Sequence, residues 1–435
     1  MREIQITHGT YGHTLNASQV FSPDGQWVIY DTRNEDSHIS RTSRIEKVNL
    51  HTGEVVLLYD TKSENQFGPG VGAVAYHPMR EEAIFIHGLL NNSEDQPYSF
   101  TRRFGGLINT DKSGGFIHAD GRNINPPLLP GNLRGGTHAH TWSSDGLAIS
   151  FTYNDYIMEQ REKLTNGKVK DLRTTGMMIH AQPPSKGTDM DEEFTGTYFA
   201  FVTAAVTDDP SPGSDAIDRA FDECWIGTNG YVKENGALQE RAIAFQGNVR
   251  DKNNNPITEI FVSDIPKDLA TTNLPRSVAG TNESRPHPPA SVVQRRITFT
   301  ADRKFAGIQG PRCRLRSSPD GQYIYFHMKD NDGIVQVYRV STKGGVPDQV
   351  TFFKQSISAQ YNLSADGSKL SCIVDNALWI VDLANGTNEC LMTGNGLPIG
   401  GGALWSQDGT LLVFNRYVPS GENKYLQIFT IAPEN

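Results

Sequence analysis

The 435-residue sequence contains no long hydrophobic run and few cysteines. No stretch of about 18 apolar residues occurs, so the sequence predicts no transmembrane helix. The opening MREIQITHGT lacks the apolar core of a secretory signal and predicts a cytoplasmic protein. A periplasmic location stays open, because removal of a signal peptide would leave a similar N-terminus. The four cysteines are widely spaced and form no CxxC pair, which favours reduced thiols over a disulfide framework.

Basic residues and common catalytic motifs are also scarce. Lys and Arg number 40 against 49 Asp and Glu, which gives a net charge of −9. This balance argues against a nucleic-acid partner or an anionic membrane surface, although a local basic pocket for a small anion remains compatible with it. The sequence has no Walker loop, GxSxG elbow, dinucleotide fingerprint or HExxH helix. It predicts no oligomeric state.

A short motif instead recurs along the chain, and each copy places an S-x-D-G-like turn before an alternating strand. The copies are FSPDGQWVIYDTR (21–33), the degenerate YHPMREEAIFIHG (76–88), WSSDGLAISFTYND (142–155), SSPDGQYIYFHMKD (317–330), LSADGSKLSCIVDN (363–376) and WSQDGTLLVFNRY (405–417). Gly suits a turn that needs positive φ. The last three turn aspartates, Asp320, Asp366 and Asp408, are spaced like four-stranded propeller blades of about 40–45 residues.

The repeat predicts an all-β, seven-bladed β-propeller that forms a single domain over residues 1–435. One blade is hidden between Asp145 and Asp320, with strands predicted at 197–206, 241–249, 258–265 and 295–300. The remaining residues form insertions near 95–135, 155–195, 207–238 and 266–292. We expect the N-terminal strand, 2–7, to complete the last blade and close the ring.

One insertion carries helical signals and predicts a short helix over the propeller face. In PSPGSDAIDRAFDECWIG, Ser214 is a candidate N-cap, and Ile217, Phe221 and Trp225 recur at helical spacing. Asp222 and Glu223 would then lie on the solvated side of this helix.

Polar segments that lead into the inner strands, those nearest the propeller axis, are expected to surround the central opening. They are 7–18, 133–142, 309–316 and 355–362, and loops on the same rim add Asp31, Arg33, His87, Asn154, Asp155 and His327. His138 and His140 are two residues apart, and alternate residues of a strand point to the same side. Two imidazoles on one side of an inner strand can share a metal ion. The alternative is that one histidine is a hydrogen-bonded core residue and the other lies on the rim.

Further basic residues near the opening predict a pocket for an anion. His13, His87, Arg134, Arg312 and Arg314 together describe a basic, imidazole-lined pocket in an acidic chain. Guanidinium groups bind planar anions in a bidentate manner, which favours a carboxylate, phosphate or sulfate. Each arginine has an alternative structural role, in which it holds neighbouring carboxylates or carbonyls.

Several segments together carry a resemblance to a known family. They are IEKVNLHTGEV (45–55), FIHG (85–88), RGGTHAH (134–140), SFTYND (150–155), PGSDAIDRAF (212–221), VVQRRITFT (292–300) and DNDGIVQVYRV (330–340). With its SPDG-type blades, which resemble TolB-type repeats, the chain resembles the YidR-like bacterial propellers, a group that belongs with the oligogalacturonate lyases.

The resemblance implies a metal site. Oligogalacturonate lyases use an H-x-H, a further His and a Gln to bind a divalent metal, typically Mn. This implies His138 and His140 as ligands here, with His87 or His13 as candidates for the further histidine. The family's Gln lies three residues before the first His, where this chain has Gly135.

The resemblance also implies β-elimination on short uronate sugars, in which a metal or an arginine neutralises the carboxylate while a base removes the neighbouring C5 proton. His13 and His87 rank before Arg312 as the base. The predicted substrate-binding residues are Arg33, Arg134, Asn154, Arg314 and Gln360. The alternative function is a non-catalytic, TolB-like propeller that binds a protein or a small ligand at its centre. The long insertions favour the enzyme, because such elaborations commonly enclose small ligands.

Overall fold

This computed structural model describes residues 3–62, 65–185, 191–392 and 396–432, with only the backbone described for 36–38. Its sheets form the predicted seven-bladed β-propeller. Within each of blades 2 to 6, consecutive strands pair antiparallel from the inner strand outward. The commonest connections are therefore tight hairpins, which agrees with the turn-rich sequence.

Blades 1 to 4 come first in the chain. Blade 1 has strands Trp27–Asp31, Arg44–Asn49 and Val55–Asp60, with isolated bridges from Thr14 and Phe21 along its inner side. Blade 2 has Val71–Tyr76, Glu82–Gly88, Arg103–Asn109 and Ile117–His118. Blade 3 has Gly135–Trp142, Ala148–Asp155, Thr174–Ile179 and Phe199–Val202. Blade 4 has Ala220–Trp225, Arg241–Arg250, Pro256–Ile265 and Val293–Arg296.

Blades 5 to 7 complete the ring. Blade 5 has Arg316–Ser317, Tyr323–Lys329, Val335–Ser341 and Asp348–Gln349. Blade 6 has Asn362–Leu363, Lys369–Val374, Ala377–Asp382 and Asn388–Met392. Blade 7 has Leu404–Trp405, Leu412–Ser420, Asn423–Ile431 and the N-terminal Ile4–Gln5. Two small additional sheets pair Gly121–Arg122 with Asn132–Leu133 and Tyr231–Val232 with Leu238–Gln239. The helices are Tyr156–Leu164 and the 3-10 turns Asp36–Arg41 and Arg276–Val278.

The two ends of the chain meet in blade 7. Ile4 and Gln5 pair antiparallel with Thr430 and Phe429. Beside this pairing, the buried guanidinium of Arg416 lies 2.6 Å from a carboxylate oxygen of Glu3. The prediction that the N-terminal strand closes the ring is confirmed, and the closure removes an open sheet edge.

The S-x-D-G turn has the same structure wherever it recurs. In five blades the serine Oγ donates to Asp Oδ1 at 2.5–2.6 Å, at Ser22, Ser143, Ser318, Ser364 and Ser406. The glycine that follows has φ between +66° and +71° each time, a conformation that costs other residues energy. In blade 2, His77 replaces the serine, and its Nδ1 accepts from the backbone N–H of Met79 at 3.0 Å.

The hydrophobic core consists of apolar layers between neighbouring blades. Ile84 of blade 2 packs in one cluster with Trp142 and Phe151 of blade 3. Ile260 of blade 4 shares another cluster with Phe326 of blade 5. This packing holds each sheet at a fixed angle to the next, so that the inner strands meet around the axis.

Two predictions for the region between Asp145 and Asp320 are wrong. Residues 214–225 contain no helix; instead Ala220–Trp225 is the inner strand of blade 4, and Asp222 and Glu223 are buried rather than solvated. Apolar residues four positions apart predicted a helix here. The segment did not look like a strand, because a β-bulge interrupts the alternation of side chains between the two faces. Phe199–Val202, placed by sequence in the hidden blade, is the outer strand of blade 3.

The short α-helix lies in the predicted insertion near 155–195 instead. It begins after Asp155, whose side chain accepts from the backbone N–H of Met158 at 2.9 Å and so caps the first turn. None of the helices in the described part of the chain is long and apolar enough to cross a membrane.

Candidate anion-binding site

A cavity of about 790 Å³, here called the central cavity, lies where the blades meet. Its lining comes from every blade and consists of Leu15, Asn16, Ala17, Arg33, Glu35, Ile39, Ala73, Ile86, Tyr98, Phe100, Arg103, His138, Ala139, Arg173, Asp222, Arg312, Arg314, Gln360 and Tyr417. Five arginines thus face two carboxylates in a chain of net negative charge. The local excess of positive charge favours an anionic ligand.

The inner strands of blades 2, 3 and 4 form one wall of this cavity, and each carries the same β-bulge. At the bulge, Ala73, Ala139 and Asp222 have φ of +54°, +62° and +51°, respectively. A non-glycine residue in this region costs on the order of 1–3 kcal/mol. All three line the central cavity, and bulges of this kind commonly redirect side chains near functional sites.

The bulge in blade 3 separates the two histidines of the H-x-H motif. His138 pairs with Thr152 and Thr141 pairs with Ser150, so Ala139 and His140 together face a single residue of the neighbouring strand. The alternation that predicted two parallel imidazoles is broken at this point. His138 lines the cavity, whereas His140 does not.

His140 packs between blades 2 and 3. Its Nε2 lies 2.9 Å from Thr137 Oγ1, and it would lie 3.1 Å from a Cβ added at Gly105 of blade 2. The side chain is fully buried, and burial lowers its pKa to about 3. The structure thus places one histidine in the core and the other on the cavity wall.

His138 faces the central cavity with neither ring nitrogen hydrogen-bonded within the described chain. It is only 5% exposed. Burial, followed by the charges of Arg103, Arg173 and Arg312, holds its pKa well below the usual value. The imidazole is therefore neutral at neutral pH and offers one donor and one acceptor to a ligand.

Among the residues that line the central cavity, Arg103 is the most deeply buried cation. It is 2% exposed, and its Nη1 donates to Tyr98 Oη at 3.0 Å. Its Nε and Nη2 are buried and make no hydrogen bond to any described residue. Burial lowers the pKa of this guanidinium. A buried cation with unsatisfied donors is costly, and a bound anion would satisfy these two donors.

Arg173 and Arg103 flank one aromatic ring. Their guanidinium carbons lie 4.9 Å and 4.6 Å from the ring centre of Phe100. Asn154 accepts from Arg173 Nε at 3.2 Å and donates to Asp171 at 2.8 Å. Burial, reinforced by nearby arginines, lowers the pKa of Arg173 to about 10, still far above neutral pH. Asn154, a predicted substrate-binding residue, therefore holds Arg173 rather than lining the cavity.

The other predicted residues that line the cavity are held in different ways. Arg33 is buried against Asp31, with Nε–Oδ1 at 2.6 Å. Arg314 donates to Thr141 Oγ1 at 2.8 Å. Arg312 is exposed and lies 3.3 Å from Asp222. Gln360 contributes from the segment before the inner strand of blade 6.

His13, His87 and Arg134 lie outside the cavity lining. His13 is buried and stacks on Tyr11 at 4.5 Å. Arg134 is buried against Asp155 at 2.8 Å and donates to two backbone carbonyls, so its role is structural.

His87 is buried with both ring nitrogens engaged. Its Nε2 lies 2.8 Å from Tyr59 Oη, and its Nδ1 lies 2.5 Å from the carbonyl oxygen of Gly88. Burial lowers the pKa of His13 and of His87 to about 4. The structure thus brings neither of the preferred base candidates to the cavity.

The residues around His138 do not fit the metal site that the resemblance implies. The described part of the chain contains no group of three His, Cys, Asp or Glu side chains placed to hold a metal. The charges that act most strongly on His138 are guanidinium groups, which repel a divalent cation. At Gly135, a Cβ would lie 2.0 Å from the carbonyl oxygen of Asn154, so a Gln has no room there without a backbone shift.

Sequence reasoning missed the residues that make this site basic and aromatic. Tyr98, Phe100 and Arg103 lie in the region assigned to the 95–135 insertion, and Arg173 lies in the region near 155–195. Asp222 was assigned to a helix. The only available signal was the presence of Arg and aromatic residues within the insertions.

The fold and the site together define a seven-bladed propeller with a basic, aromatic-lined cavity at its centre. The chain belongs to the YidR family. It is 33% identical over 414 residues to "Uncharacterized protein YidR" of Escherichia coli (strain K12), with 94% of each chain covered. Residues 70–191 match the family model described as "Protein of unknown function (DUF3748)".

Two solved structures are similar to the chain. "Oligogalacturonate lyase in complex with manganese" aligns with a TM-score of 0.52 and 10% identity over 99% of this chain and 93% of the other. TolB from Acinetobacter baumannii aligns with a TM-score of 0.37 and 13% identity over 94% and 81% of the two chains. At these identities the first likeness shows the fold alone.

Proposed function

We propose that the chain is a carbohydrate-active enzyme that binds short uronate-type sugars in the central cavity and cleaves them by β-elimination. The observation that carries the proposal is Arg103, a buried guanidinium with two unsatisfied donors beside the unpartnered imidazole of His138. The solved oligogalacturonate lyase, which shares the fold, supports the reaction class.

The first step is binding of the uronate carboxylate. The open Nε and Nη2 of Arg103 form the edge of a guanidinium that matches a carboxylate in a bidentate manner. Tyr98 and Phe100 line the same cavity, and their rings lie against this guanidinium and help to position it. Arg173 and Arg314 line the same cavity and provide charge for the rest of the ligand.

The second step is removal of the proton at C5, next to the carboxylate. The C5–H electron pair forms the C4–C5 double bond, the C4–O bond breaks, and the departing sugar oxygen takes up a proton. Arg103 stabilises the negative charge that develops on the carboxylate. His138 is the neutral imidazole facing this space, and we assign it as the base. No step passes through a metal, because the donor set does not fit one.

The test is the reaction of the wild-type chain with digalacturonate, followed by the ultraviolet absorbance of the unsaturated product. His138→Gln should still bind the sugar but form product at least about 100-fold more slowly, because general-base catalysis contributes on the order of 100-fold or more. His180→Gln, which replaces a histidine outside the cavity, is the matched control and should react like wild type.

Two results would contradict the proposal, the first at the lyase assignment and the second at the assigned base. Binding without product in the wild type would leave a non-catalytic sugar-binding propeller. Product formation at an unchanged rate in His138→Gln would remove His138 as the base.

A further inference from the structure

A second cavity of about 310 Å³ adjoins the central cavity. The two share the side chains of Arg173, Asp222 and Arg312, so one wall serves both. Its volume is at the lower end of the range for small-molecule sites, about 300–1,000 Å³. The second cavity is therefore large enough for a ligand segment of its own.

The chemistry of the second cavity is similar to that of the first. Arg219 places its guanidinium 4.6 Å from the ring centre of Phe221, and both line the cavity. His327 also lines it and is buried, with no hydrogen-bond partner at Nε2 in the described structure. Its Nδ1 lies 3.4 Å from the carbonyl oxygen of Pro311, which leaves Nε2 as the free position.

Each cavity thus combines an arginine over an aromatic ring with a buried imidazole that has an unpartnered nitrogen. In the central cavity these groups are Arg103, Phe100 and His138. Between the two cavities lies the ion pair of the exposed Arg312 and the buried Asp222, which borders both. A ligand that crosses this pair passes from Arg103 and Arg173 in the central cavity to Arg219 in the second cavity.

We propose that the second cavity is a binding compartment for a second anionic sugar unit, so that the substrate is an acidic disaccharide or longer chain rather than a monosaccharide. This inference rests on the proposed function and deepens it. Arg219 and Phe221 bind the second unit, and Arg312 contacts the chain between the two compartments. A cleavage reaction needs such an arrangement, because the leaving sugar must also be held.

The test is calorimetric titration with galacturonate and digalacturonate, each with wild type, Arg219→Gln and Arg276→Gln. Arg276 is an exposed arginine that lines neither cavity and serves as the matched control. We expect wild type to bind the dimer on the order of tenfold more tightly than the monomer, since a charge-assisted contact is added. Arg219→Gln should remove most of this gain and leave the monomer affinity within about twofold.

Equal affinities for monomer and dimer in the wild type would overturn the second compartment while leaving uronate binding in place. The same holds if Arg219→Gln keeps the full gain for the dimer. If neither sugar binds the wild type, uronate recognition itself fails and this inference fails with it. Thermal unfolding of Arg219→Gln at the wild-type temperature would establish that any loss of affinity is local.

Discussion

Blades 2 to 4 and blades 5 to 7 are all four-stranded but differ at the axis. In blades 2 to 4 the inner strands are Val71–Tyr76, Gly135–Trp142 and Ala220–Trp225, and each contains a bulge. In blades 5 to 7 the inner strands, which begin at Arg316, Asn362 and Leu404, are two residues long and pair regularly. The bulged half supplies the wall of the cavity that contains His138 and Asp222.

The comparison shows how one repeat provides both a scaffold and a site. At the bulge, the residue with positive φ lines the central cavity, whereas the next residue does not. These next residues, all buried, are Val74, His140 and Glu223. Val74 belongs to an apolar cluster between blades, so this position packs rather than binds. His140 occupies the equivalent position in blade 3, and we therefore expect it to act as a core residue.

The largest expected effect distinguishes the two histidines on either side of Ala139. His140→Ala should lower the free energy of unfolding by about 3 kcal/mol, because it empties space between two blades and removes the hydrogen bond to Thr137. His138→Ala should cost less than about 1 kcal/mol, since its ring makes no hydrogen bond and already borders open space. Urea denaturation of both variants measures the difference, and equal losses would contradict the assignment of separate roles.

The repeat could be predicted from the sequence because each S-x-D-G turn depends on neighbours within about five residues. The blade count and the hairpins follow from such local chemistry. The closure by Ile4–Gln5 could be predicted because the last repeat copy is followed by too few strands to complete its blade. The bulges could not be predicted, because nothing in the letters around Ala139 or Asp222 requires positive φ. One extra residue in each inner strand shifts every later side chain to the other face. That shift is why the H-x-H motif and the segment 214–225 were misread.

The stability of the protein should also depend on pH through its buried histidines. No histidine follows His327 in the sequence, so most of these groups lie in the earlier blades. Burial lowers the pKa of His87 to about 4, below the usual histidine value of about 6.5. Between these two values the unfolded chain binds more protons than the folded one, so stability falls as pH decreases and levels off below about pH 4. His87 alone should account for roughly 2–3 kcal/mol lost between pH 7 and pH 4.5.

Denaturation of His87→Phe at both pH values tests this linkage. The variant should lose stability at pH 7, since Tyr59 Oη loses its partner, but it should show a smaller difference between the two pH values. His51→Gln, at an exposed position, is the control and should keep the wild-type difference. An unchanged pH difference in His87→Phe would show that His87 does not contribute it.

The smallest expected effect tests whether the scaffold is the same in both halves. Ser143→Ala in blade 3 and Ser364→Ala in blade 6 each remove a serine that donates to the turn aspartate and accepts from the backbone of the following strand. Each should lower the free energy of unfolding by about 1 kcal/mol, as for loss of a helix cap or a single hydrogen bond. Denaturant midpoints that differ markedly between the two variants would mean that the turns of the two halves are not equivalent.

The most direct test of the account is the affinity of digalacturonate for wild type and for Arg103→Met, measured once with chelator and once with added Mn²⁺. We expect equal binding by wild type in both conditions and a loss of about 100-fold in Arg103→Met, because a buried charge-assisted pair is removed. Binding that requires Mn²⁺ and survives in Arg103→Met would contradict it.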